Sequence, residues 1–167
     1  ESEYTADALI SIGDARYNET IGMADEDPMK TVKLREALGL YYRMLELESV
    51  PEQSKKLAFG YIRETEDLLA ALAYGPAEAQ LNAALAAIAG PEVTQEQAAA
   101  VMAAIGELDA VATAYSASES APYALVQMGD GYVHLERWRD AIAAFSRFTA
   151  FYTDSAGQRV APANPNM

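Results

Sequence analysis

ALVQMGDG, residues 124–131, has a near copy far upstream: ALISIGDA, residues 8–15. Both octets have the apolar spacing of a helix, and both place a Gly-Asp pair inside it. A second match follows each copy. REALGLYYRM (35–44) and RDAIAAFSRF (139–148) share the order basic, acidic, Ala, aliphatic, two spacers, aromatic, spacer, Arg, large apolar. The first pair stands 116 positions apart (8 to 124) and the second 104 (35 to 139). The upstream copy therefore has an insertion between its two helices, and the acidic loop 20–31 is the place for it. Glycine inside a helix costs about 1 kcal/mol relative to alanine, so its repetition calls for a packing reason. Without a Cβ, the first helix of each hairpin can approach the second closely. The small residues expected opposite are Ala37 and Ala141. Leu9, Ile12 and Tyr41 would interlock around one contact, and Leu125, Met128 and Phe145 around the other. Each contributes roughly 1.5–3 kcal/mol when buried, which outweighs the glycine.

Working outward, the spacing predicts helices over 4–18 and 32–48, separated by the loop 20–31 with Gly22, Pro28 and three consecutive acids. Ser49, Pro51 and Glu52 read as the start of a third helix, with Leu57, Tyr61, Leu68 and Leu72 on its inner face. Gly75-Pro76 and Gly90-Pro91 read as boundaries around a short helix that turns Leu81, Leu85 and Ile88 inward. Thr94 and Gln97 form a capping box for the next helix, whose stripe is Val101, Ile105, Leu108, Ala112 and Tyr115. Helices over 121–135 and 137–153 follow, and the Pro- and Asn-rich tail 156–167 is expected to be loosely ordered. The expectation is all-α: about seven helices, in antiparallel hairpins, forming a single domain over 1–155.

The copy at 122–155 resembles the tetratricopeptide repeat, a helix-turn-helix unit of about 34 residues. Leu125, Met128, Gly129 and Tyr132 fall on the first-helix positions of that family, and Trp138, Ala141, Phe145 and Phe148 on the second. The closing FYTDS is similar to the ending seen in bacterial envelope members, with Thr153 in place of their proline. The upstream unit, 4–48, departs further, with Tyr17 one residue late, and 50–118 reads as degenerate hairpins. The resemblance implies a short solenoid of stacked hairpins whose first helices line a groove for partner proteins. Carried over position by position, the groove residues are Asp7, Ile10, Asp14, Asn18 and Glu19 in one copy. In the other they are Tyr123, Val126, Asp130, Val133 and His134. Asp14 and Asp130 coincide. They either hold a basic or hydrogen-bonding partner segment, or are simply solvated or bonded to a neighbouring helix.

Composition narrows the chemistry. Lys and Arg number 12 against 25 Asp and Glu, a net charge of -13. Such a chain repels nucleic acid and anionic membranes. A basic protein partner, or solubility alone, accounts for the charge. The absence of cysteine removes disulfides and thiolate metal sites. His134 is the one histidine, too few nitrogen ligands for a zinc site. GDGYVH (129–134) lacks the third glycine of a dinucleotide fingerprint and follows no strand. Asp25, Glu26 and Asp27 lack the glycine and distal glutamate of an EF-hand. No cofactor or catalytic set is expected, and no run is long enough to span a membrane. A chain opening on Glu1 is expected to have lost a preceding segment: a signal peptide, a tag or the rest of a larger protein. With the closing motif, this suggests the bacterial periplasm or envelope. Three functions stay open: a non-catalytic adaptor or assembly scaffold, an accessory subunit embedded in a large complex, and a small-molecule binder or enzyme in the Ala-rich middle.

Overall fold

Six helices appear among the described residues of the computed structural model, which are 2–48, 50–88, 90 and 92–150. They are α1 (Ser2–Asn18), α2 (Pro28–Leu45), α3 (Glu52–Ala86), α4 (Gln95–Ala114), α5 (Ser120–His134) and α6 (Trp138–Ala150). The chain is all-α, with sequential helices packed as antiparallel neighbours. The closing motif 151–155 and the tail 156–167 lie outside the described residues. The chain divides into two compact units, Glu1–Leu72 and Ala73–Met167.

The expected seventh helix is absent because Gly75-Pro76 does not break α3, which holds Pro76 in its interior. Proline removes one donor, so the Leu72 carbonyl loses its helical partner. Both Gly75 and Pro76 are exposed, where water can satisfy that carbonyl. The division between the two units falls at the same residue.

In the first unit, α2 starts four residues earlier than its periodicity suggests. Asp27 is the N-cap and accepts the Met29 N–H at 2.9 Å, and Pro28 opens the first turn, where its missing N–H costs nothing. Asp25 pairs with Lys30 at 2.6 Å. The acidic loop is thus shorter than expected, and two of its acids have structural partners. One core cluster joins Ala6, Ile10, Met44, Val50 and Ala58; another joins Ala37, Tyr41 and Ile62. Along α3 the inward face is turned by one residue from the expected one. Ala58, Ile62, Thr65 and Leu69 are buried, while Leu57 is 47% exposed and Leu68 is exposed. The small Ala58 lets α3 approach, and buried Thr65 satisfies its hydroxyl by donating to the Tyr61 carbonyl at 2.7 Å.

In the second unit, Ala77, Leu81 and Ala84 of α3 pack with Val101, Ile105 and Leu108 of α4 and with Ala124, Leu125 and Met128 of α5. The capping box of α4 is complete: Thr94 accepts from the Gln97 N–H, and the Gln97 side chain accepts from the Thr94 N–H. The link from α5 to α6 is a Schellman turn. Arg137 N–H donates to the Tyr132 carbonyl at 2.9 Å, Glu136 N–H donates to the Val133 carbonyl at 3.0 Å, and Glu136 sits at φ 56°.

Each unit contains a helix pair in which a glycine faces an aromatic ring. A Cβ on Gly13 would stand 3.0 Å from Cδ1 and Cζ of Tyr41 and nearer still to Cε1. One on Gly129 would stand 2.5 Å from Cζ and 2.7 Å from Cδ1 of Phe145. The glycines therefore do permit close approach, and the atoms nearest to each belong to a ring one turn beyond Ala37 or Ala141. Ile12, expected to interlock there, is 49% exposed.

Candidate functional site

The ten sequence-expected groove residues separate into two groups. On α1 and just past its end, three of the five are engaged in structure. Ile10 is buried in the core with Ala6 and Met44, so it offers no groove surface. Asp14 is half-buried and accepts the Tyr41 hydroxyl at 2.9 Å. Glu19 accepts from both Arg16 and Lys33. The hydrogen bond from Lys33 is the main cause that holds the Glu19 carboxyl below the usual range. Asp7 and Asn18 are exposed.

Tyr41 and Tyr61, both expected to face inward, lie by Asp14, and Tyr17 and Tyr42 extend the set to carboxylates of α3. Tyr41 stacks on Tyr61, with ring centroids 5.3 Å apart and planes at 27°. Tyr17 donates to Glu64 at 2.8 Å, and Tyr42 donates to Glu66 at 2.7 Å. Burial, reinforced by the Glu64 carboxylate, pushes the Tyr17 phenol up to about 12. Burial and the Asp14 carboxylate raise Tyr41 as well. These hydrogen bonds tie α1 and α2 to α3, so the cluster reads as structural cement.

On α5 the five expected residues share one outward side. Tyr123 is 64% exposed, Asp130, Val133 and His134 are exposed, and Val126 is half-buried. The opposite side of α5, Ala124, Leu125 and Met128, is core. A polar clamp fixes the helix from beneath: Glu78 accepts from Tyr74 at 2.7 Å and from Gln127 at 3.2 Å. His134 Nδ1 lies 2.9 Å from the Asp130 carbonyl, which can only accept, so that nitrogen carries the proton. Asp14 and Asp130 follow equivalent glycines yet differ, because the ring opposite carries a hydroxyl in Tyr41 and none in Phe145.

Sequence reasoning missed an open groove of about 430 Å³ along α1 and α2. Ile12, Gly39 and Leu40 supply its apolar surface, and Arg16, Arg35 and Arg43 rim it with Glu36. Arg16 pairs with Glu19 at 3.1 Å and Glu36 at 3.4 Å. Arg35 and Arg43 are exposed and form no ion pair among the described residues. The signal was present in the sequence as arginines eight apart with glycine midway.

Among the described residues no cluster of His, Cys, Asp and Glu could hold a metal ion, and no helix is long and apolar enough to cross a membrane. Comparison with family models, curated proteins and solved structures finds no match for this chain.

Proposed function

We propose that this chain is a non-catalytic docking module, an adaptor or assembly scaffold built on tetratricopeptide-like helical hairpins, that holds a partner protein on the outward side of α5. The carrying observation is the stripe Tyr123, Val126, Asp130, Val133 and His134. It combines an exposed aromatic, two aliphatics and an acid on one rigid helix whose other side is core. Exposed aromatics on a fixed support are the usual anchors of protein interfaces. A carboxylate that forms no ion pair among the described residues stands beside them and favours a partner with a basic segment, as does the overall charge of -13. The test compares Tyr123→Ala and Asp130→Lys with the parent. Both positions are exposed, so helicity and melting should hold while recovery of the native partner in affinity purification falls severalfold. Undiminished recovery by both variants would sink this reading.

A second reading, a subunit embedded permanently in a larger complex, draws on α6. Trp138 is 57% and Ile142 66% exposed, one turn apart on the same side. In that case Trp138→Ala with Ile142→Ala would abolish co-purification while the α5 variants leave it intact.

A further inference from the structure

We infer that the groove between α1 and α2 is a second docking site, which takes a short acidic segment of a partner protein with an apolar side chain between its carboxylates. It lies on the other unit from the α5 stripe, carries the opposite charge, and stands or falls independently of it.

Unlike Gly13, which faces Tyr41, Gly39 has nothing among the described residues within 4 Å of where its Cβ would be. No neighbour excludes a side chain, yet none is present in the interior of α2. The result is a notch, flanked one turn before by Arg35 and one turn after by Arg43. Eight residues of helix separate the two guanidinium stems by about 12 Å along the axis. Beside the notch, Ile12 from α1 is half exposed and Leu40 is half-buried, giving an apolar floor between two cationic ends.

Charge complementarity then selects the occupant. Arg16, Lys30 and Lys33 of the same unit all pair with carboxylates. Arg35 and Arg43, like Lys56 and Arg63, form no ion pair among the described residues, on a chain where acids outnumber bases 25 to 12, and of these four only Arg35 and Arg43 line the groove. A guanidinium fork matches a carboxylate in bidentate geometry. Extended polyanions fit less well, because a net charge of -13 repels them along their length. They also carry no apolar group for Ile12 and Leu40. A short segment with few carboxylates meets the arginines at contact distance and can fill the notch.

The probe is a labelled synthetic peptide with two leucines between acidic pairs (Asp-Glu-Leu-Leu-Glu-Asp), followed by fluorescence anisotropy at low salt. Saturable binding is expected. It should weaken about tenfold, or 1.4 kcal/mol, for the amide isostere (Asn-Gln-Leu-Leu-Gln-Asn) and for the Arg35→Gln, Arg43→Gln double variant. Gly39→Leu fills the notch, so it should bind worse while melting no lower than the parent. No saturation up to about 1 mM peptide, or equal binding by the double variant, overturns the site. So does tighter binding of a single-stranded oligonucleotide or of phosphatidylserine vesicles, lost in the same variant.

Discussion

Glycine plays opposite parts at three helical positions. At Gly13 and Gly129 an added methyl would press on Tyr41 or Phe145, rings held between helices. Gly13→Ala and Gly129→Ala should each cost about 1–3 kcal/mol by overpacking, despite alanine's better helix propensity. Gly39→Ala should instead stabilise by up to about 1 kcal/mol, since its Cβ meets nothing. Urea denaturation of the three variants checks this, and a Gly129→Ala protein as stable as the parent would refute the packing role. The repeated Gly-Asp pair made the glycines legible in the sequence. What lay opposite was less legible: alanines were expected against the glycines with Tyr41 and Phe145 packed around them, and the rings themselves supply the nearest atoms, because helix pairing alone does not reveal which turn a side chain meets. The split between Asp14 and Asp130 was readable in principle. The aligned decapeptides already place Tyr41 against Phe145, and only a phenol can donate to the aspartate.

At the scale of the element, local chemistry was the better guide where a side chain satisfies the backbone. The Thr94–Gln97 box opens α4 as its sequence indicates, whereas Gly75-Pro76 misleads. Proline forbids one hydrogen bond, and an exposed helix tolerates that loss when both flanks are anchored by packing. The orientation of α3 was hidden for a different reason. Leu57, Phe59 and Leu68 lie outside while Ala58 and Thr65 lie inside, so apolar periodicity points to the wrong side. The turn from α5 to α6 supplies the element-scale prediction. Glu136 occupies the left-handed position of the Schellman turn that glycine prefers. Glu136→Gly should raise stability by about 1 kcal/mol. Differential scanning calorimetry would read this as a higher midpoint, and a lower one would contradict the assignment.

At the scale of the whole molecule, five tyrosines among the described residues hold their protons above the ordinary value of 10: Tyr17, Tyr41, Tyr42 and Tyr61 in the first unit, and Tyr74 in the second. Burial is the leading cause for all but Tyr42, where the hydrogen bond to Glu66 leads. A phenol with a raised value binds its proton more tightly folded than unfolded. Its stabilisation is whole below pH 10 and is lost as pH climbs through the folded value, about 12 for Tyr17. Each ionisation also adds negative charge to a chain already at -13. Urea stability should therefore be level through neutral pH and fall steeply above about pH 10, with a shallower fall in Tyr41→Phe. Stability unchanged up to about pH 12 would contradict it.

Trp138 is the only tryptophan of the chain and stands 57% exposed at the start of α6. Its indole is already wet in the folded state, so its fluorescence should change colour little when the chain unfolds. Coverage of α6 by a partner would remove that water and shift the emission to the blue. The molecule thus carries a built-in optical probe that is nearly silent to denaturation and responsive to assembly.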